Sequence, residues 1–316
     1  MNHSPAGQQQ VLSQKQVMTG TWLKGKGARI RELWPLVPAA AYLVGFLIIV
    51  GTYLVGLSLS FDKNGTLLFP SLNTFASVFA NPDFSHALLD TTLFVIAGTP
   101  LELAAGLFLA LILYQSFRFR NVIRSLFLIP LAIPALVTAT LLFILFDYPG
   151  GHVNHFLMGK YGIVPALLHM PVNWRGSEVL ALGISMLGKV WRDMPISMLI
   201  LLSGLNAIDP ELFDAAKAMG AGLRRRIWHV VLPLMIPSIS AVVLLRSIEM
   251  WKEFIFPFIL AGKYNLLGTL IESLYNDWGN SYAAASVALV LVLCIIITTV
   301  LFLSVMELIK RTLVKT

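Results

Sequence analysis

Residues 207–238, AIDPELFDAAKAMGAGLRRRIWHVVLPLMIPS, form a charged, helix-forming stretch caught between two long apolar runs. Asp209-Pro210-Glu211 reads as a helix start: an acid able to cap, a proline at the first helical position and a second acid in the first turn. Asp214-Ala215-Ala216-Lys217-Ala218-Met219 continues a short helix. Gly220 and Gly222 then permit a sharp turn that a β-carbon would resist. A second amphipathic piece, Leu223 to His229, carries Arg224, Arg225 and Arg226 in series, and Leu232-Pro233 and Pro237 mark entry into the next hydrophobic run.

The chain around this stretch is not that of a soluble globular protein. Hydrophobic residues make up 57% and charged residues only 12%, and the mean hydropathy is +0.78, so an all-α polytopic membrane protein is expected. Six stretches are long enough, at about 1.5 Å per residue, to cross a hydrocarbon core of roughly 30 Å. They are approximately Leu36 to Ser60, Ala87 to Tyr114, Ser125 to Phe146, Val179 to Leu205, Ser238 to Leu260 and Ala284 to Met306. The formal charge of +7 does not indicate nucleic acid, because the basic residues lie mostly at the ends of apolar runs and no basic stripe with interleaved aromatics occurs. Fifteen Lys and Arg fall on one side of the resulting topology, and Lys63, Lys160, Arg175 and Lys263 on the other. The positive-inside rule therefore places both termini and the opening stretch in the cytoplasm.

Three regions follow: a polar tail at 1–34, a membrane domain at 35–309 containing the cytoplasmic loop at 207–237, and a short tail at 310–316. The first tail has no apolar core that could serve as a signal peptide. Its run from Gly20 to Gly27 imitates a P-loop but lacks the Ser or Thr that would hold magnesium. Cys294 stands alone within an apolar run, which leaves no disulfide framework or thiol metal site. His152, His155 and His169 share a loop without ligand-type spacing, so no metal and no catalytic constellation is assigned.

Ionisable residues inside spans are costly and normally face a bundle interior or a water-filled cavity. The second span carries Asp90 and Glu102. The fourth carries Lys189, Arg192 and Asp193 beside Trp191 and Pro195, and the fifth Arg246, Glu249, Lys252 and Glu253 beside Trp251. At 100° per residue Lys189 and Asp193 are an i,i+4 pair, and Arg246, Glu249 and Glu253 lie on one stripe. Two compatible readings stand: internal salt bridges that fix packing, and faces lining a hydrophilic pathway. Pro195 adds a kink near mid-depth, where transport sites often sit.

The order Asp214-Ala215-Ala216, Gly220-Ala221, Val231-Leu232-Pro233, Pro237 resembles the EAA coupling loop of bacterial ABC importer membrane subunits, with Asp214 for the usual Glu. The resemblance runs from about Leu36 onward, through the N-P-D-F of residues 81–84 and the stretch Arg124 to Pro134. The family it implies is the binding-protein-dependent transport membrane component, similar to maltose and glycerol-3-phosphate transporter permeases. It implies a permease subunit that hydrolyses nothing and binds no cofactor, ATP and magnesium being used by two separate ATPase subunits. A second, similar permease, an extracytoplasmic binding protein and the bacterial inner membrane complete the expected surroundings. Coupling to the ATPase would fall on Glu211, Asp214, Ala215, Ala216, Gly220, Ala221 and Pro233. The substrate, expected to be a carbohydrate, would be met by Trp191, Arg192, Asp193, Ile196, Arg246, Glu249, Met250 and Glu253. Phosphorylated polyols or peptides remain alternatives, as does a proton-coupled secondary transporter using Glu102, Asp193, Glu249 and Glu253.

Overall fold

The sequence around Asn81 shows how the longest spans begin. Asn81 Oδ1 accepts from the Asp83 N–H at 2.9 Å, Pro82 occupies the first helical position and Asp83 adds a negative charge to the first turn. The 33-residue helix that follows is about 50 Å long, enough to cross a bilayer with a turn to spare at each end. The computed structural model describes residues 34–63, 66–262 and 266–314. The expected tail at 1–34, save the backbone of Trp34, lies outside them, as do the P-loop-like run and residues 263–265.

After a short 3-10 turn, α1 spans Val37–Ser58. A two-stranded antiparallel hairpin follows, β1 (Phe61–Lys63) and β2 (Thr66–Leu68), with Phe61 opposite Leu68. The remaining regular elements among the described residues are helices: α2 (Asn73–Ala80), α3 (Pro82–Tyr114), α4 (Arg120–Ala132), α5 (Ala135–Leu145), α6 (His152–Leu157), α7 (Glu178–Asn206), α8 (Pro210–Ala218), α9 (Leu223–Leu234), α10 (Ile236–Trp251), α11 (Ile255–Leu260), α12 (Leu267–Glu272) and α13 (Ser281–Val314). The chain divides into two compact units, residues 1–56 and 57–316. The described part of the first is most of α1, which is apolar around its whole circumference, as a lipid-facing helix must be.

Three helices, α1, α3 and α13, are each long and apolar enough to cross a membrane, and three bent pairs qualify jointly, giving up to six spans. The expected third span is not one rod. It breaks at Ile133-Pro134 into α4 and α5, which meet at 92°, because Pro134 lacks the N–H that would continue the ladder. The fifth is interrupted too, at Lys252-Glu253-Phe254 between α10 and α11. At the end of the chain, the expected tail at 310–316 is largely helical, since α13 continues to Val314.

In the second unit, α3 and α7 form the central pair. A β-carbon at Gly106 would stand 2.8 Å from Ser197 Cβ, so glycine is what lets the two backbones approach. Leu109, Ala110, Leu113, Met198, Leu201, Leu202 and Leu205 fill one apolar cluster between them, to which Met235 and Val242 of the α10 region contribute. A second cluster joins Phe94, Met250 and Trp251 to Leu267, Leu270 and Val287. Thr91 accepts from the Leu267 N–H at 2.8 Å, which ties α12 to α3. The segment 147–177 is organised around buried Asn154, whose amide bonds Asp147 O, Val172 N and O and the Trp174 indole.

Candidate functional site

Helix α8 takes its shape from local chemistry. Asp209 Oδ1 accepts from the Glu211 N–H at 3.0 Å, with Pro210 at the first position. The helix ends at Ala218, one residue earlier than the spacing suggested. Gly220 has φ +74°, in the left-handed region, and the Gly220 and Ala221 amides close the helix on Lys217 O and Ala216 O. Gly222, by contrast, has φ −64°, so the turn depends on one glycine rather than two. The second amphipathic piece is α9, interrupted by a π-turn at Ile227–Val231 that precedes Pro233.

Of the residues expected to couple, Glu211, Asp214, Ala215 and Gly220 are exposed, whereas Ala216 is buried and Ala221 and Pro233 are half-buried. The buried side of α8 is anchored by Phe213, whose ring lies 5.7 Å from that of Tyr114 at the end of α3. α8 thus offers an acidic, small-residue face outward while gripping the bundle with its other side. Bends of 70° separate α8 from α7, and α9 from α10, so the two helices carrying most of the membrane-embedded charge flank the loop directly.

Those charges meet in one cluster. Lys189 Nζ lies 2.6 Å from Asp193 Oδ2, 3.0 Å from Glu253 Oε2 and 3.8 Å from Glu249 Oε2. Arg192 Nη1 lies 2.6 Å from Asp193 Oδ1. Arg246 Nη1 lies 3.2 Å from Glu249 Oε2, 3.4 Å from Glu102 Oε1 and 3.9 Å from Asp193 Oδ2. Ser197 donates to Glu102 Oε1 at 2.8 Å. Glu253 also accepts from the Phe256 N–H at 3.1 Å, satisfying an amide where the fifth span is interrupted. Four carboxylates face three cations, and the Glu102 and Arg246 side chains are 0% and 1% exposed. Charges so buried are tolerable only because each is opposed. Glu102 Oε2 and Arg246 Nε nevertheless have no hydrogen-bond partner among the described residues.

The eight residues expected to meet substrate divide by burial. Asp193, Arg246, Met250 and Glu253 are buried, and Trp191, Arg192, Ile196 and Glu249 are at least partly exposed. Met250 packs in the apolar cluster rather than among the charges. Glu102, Lys189 and Ser197 were not in the expected set, yet they complete the network. Lys189 was marked in the sequence by its i,i+4 spacing to Asp193, though not as a substrate contact. Glu102 stands on another span and no local periodicity pairs it with Arg246.

Residues 102–315 match the family described as the binding-protein-dependent transport system inner membrane component. The chain belongs to that family. Its described relatives include the trehalose/maltose transport system permease protein MalF of Thermococcus litoralis, 28% identical over 280 residues, covering 86% of this chain and 92% of that protein. Another is the xylose/arabinose import permease protein XacH of Haloferax volcanii, 29% identical over 235 residues, 71% of this chain and 72% of that protein. The fold is similar to a chain of a bacterial alginate ABC transporter solved with an alginate pentasaccharide-bound periplasmic protein, with a TM-score of 0.72, 16% identity and coverage of 87% of this chain and 94% of that one. As a family member the chain is an ABC importer permease, a transport component whose bundle places α8 and α9 between two charged helices.

Proposed function

We propose that this permease forms part of the pathway for a carbohydrate or sugar derivative, released by an extracytoplasmic binding protein and moved by ATP hydrolysis on partner subunits. The observation that carries the reading is α8: a capped, acidic, small-residue helix held by one face and joined at both ends of its loop to the charged helices. In this account Glu211, Asp214 and Ala215 enter a groove of an ATPase subunit, a helix-in-groove contact. Gly220, Ala221 and Pro233 fix the angle at which the loop returns to the membrane. ATP and magnesium bind only the ATPases, and a second, similar permease completes the pathway. The loop and both chain ends face the cytoplasm, and the membrane is the bacterial inner membrane, in keeping with the Lys and Arg distribution. The domain limits at 34/35 and 309/310 are the edges of the membrane domain.

Closure of the ATPases drives α7 and α10 as near-rigid bodies between outward-open and inward-open states. The partly exposed Trp191, Arg192, Ile196 and Glu249 contact the solute, Trp191 offering a ring face to a sugar. Asp193, Arg246 and Glu253 hold those contacts in place from behind, and Met250 supports them through packing. A carbohydrate is favoured because the relatives are named for trehalose/maltose and for xylose/arabinose. The test is uptake into proteoliposomes holding the full complex, with ATP inside and binding protein plus candidate sugars outside. Accumulation that needs both ATP and binding protein is expected; accumulation driven by a proton gradient alone would sink the proposal.

A further inference from the structure

Behind α8, on the side facing the bundle, lies a cavity of about 720 Å³ that shares only Asp214 with the coupling contacts and none of its lining with the solute contacts. It is walled by the end of α3, the start of α4, the end of α7, and by α8 and α9. Its charged lining is Arg120, Lys217, Arg226 and Asp214, three cations against one carboxylate. Lys217 and Asp214 already neutralise each other at 3.2 Å. Arg120 and Arg226 have no ion-pair partner among the described residues, and the Nε of Arg226 is buried without a hydrogen-bond acceptor. Tyr114 and Ser116 bring hydroxyl donors to the same wall, and much of the remainder is aliphatic.

Two guanidinium groups sharing a partly enclosed space repel one another and lose hydration. Both costs are relieved by a group that offers several acceptor oxygens and negative charge. Guanidinium is the side chain best matched to phosphate, which it can hold through paired N–H bonds. The volume exceeds what a bare oxyanion fills, and the aliphatic wall suits an organic stem on the phosphate. We infer that Arg120 and Arg226 form an anion site for a phosphate group, carried by an anionic lipid headgroup or by a free phosphate, that stiffens the seat of α8. The lipid source rests on the cytoplasmic orientation proposed above, since it needs the loop at a leaflet surface. Either source bridges α4 and α9 across the base of α8, so occupancy sets how firmly the coupling helix transmits force.

The experiment uses the full-length chain purified with its accompanying subunits in a phosphate-free detergent. Its apparent Tm is followed on adding inorganic phosphate in one arm and a short-chain phosphatidylglycerol in another, each against chloride at equal ionic strength. For wild type a rise of roughly 2–4 °C is expected in at least one arm, and the arm that responds identifies the source. Arg120→Gln or Arg226→Gln should shrink the rise by at least half, and the double variant should abolish it. Should the double variant fail to fold, Arg226→Lys against Arg226→Gln decides, since the lysine retains the charge and part of the rise. No rise in either arm, or an equal rise in Arg226→Gln and wild type, overturns the site. The anion site itself is independent of transport, while its effect on the coupling helix rests on the proposed function: loss of ATP-driven uptake with the Tm response intact would count against the transport proposal and leave the site standing.

Discussion

Lys217 with Asp214 on α8 and Lys189 with Asp193 on α7 are made of the same two residue types at neighbouring helical spacings. The first pair is 60% and 74% exposed and 3.2 Å apart; the second is 8% and 2% exposed and 2.6 Å apart. Around the first, water competes for each charge, and Glu211 and Asp214 remain available to another protein. Around the second, Glu253, Glu249, Arg192 and Arg246 close in, and the charges are committed to the interior. The same chemistry therefore lies open to contact in one region and is committed to cohesion in the other, and burial decides which.

The largest effect is expected where that commitment is deepest. Arg246→Met leaves Glu102, whose side chain is fully buried, with no cation within ion-pair distance among the described residues, and removes a partner from Glu249 as well. A loss of about 3–5 kcal/mol is expected, seen as a lowered unfolding temperature and reduced yield of monodisperse protein. Adding Glu102→Gln should recover part of it, because a neutral amide no longer needs the guanidinium and can still accept from Ser197. If Arg246→Met were as stable as wild type, the cluster would not be what holds α3 to α10.

An intermediate effect is expected at Gly220, and it should fall on coupling rather than on folding. A valine there must hold φ near +74° against its own β-branch, at about 1–2 kcal/mol. Nothing lies within 4 Å of the new β-carbon, so the cost is conformational and the bundle is untouched. Substrate-stimulated ATP hydrolysis should drop by about tenfold, the factor equivalent to about 1.4 kcal/mol, while the unfolding temperature falls by only a few degrees. Asp209→Ala should do less. It removes one capping hydrogen bond worth about 1 kcal/mol, and Asp209→Asn, which can still cap, should restore ATPase stimulation.

How far these regions could be read from the sequence follows from the range of the forces that shape them. The start and end of α8 were legible because Asp209, Pro210 and Gly220 act within four residues of themselves. Lys189 with Asp193 was legible for the same reason. The 92° angle was not, since Pro134 marks where the ladder breaks but not how far the halves diverge, and α5 lies where it packs against α11 and α7. The interruption at Lys252-Glu253-Phe254 was hidden likewise, because Glu253 satisfies the Phe256 amide while reaching Lys189 on another helix. Glu102 with Arg246 is 144 residues apart in sequence, and only the packing of α3 against α10 brings them together.

The smallest effect completes the contrast between the two lysines. Lys217→Gln should change stability by only about 0–0.5 kcal/mol, because an exposed i,i+3 pair loses in side-chain entropy most of what it gains by attraction and is further screened by salt. Lys189→Gln removes the cation shared by Asp193, Glu249 and Glu253, so it should be destabilising on the scale of the Arg246 variant. Measuring both unfolding temperatures at low and at high salt separates the cases further. Salt should erase whatever small difference Lys217→Gln shows and leave the Lys189→Gln deficit in place, since ions screen solvated charges and not buried ones. Equal deficits in the two variants, or a Lys189 deficit that salt abolishes, would mean that water reaches the cluster, and that its carboxylates belong with the exposed face of α8 rather than apart from it.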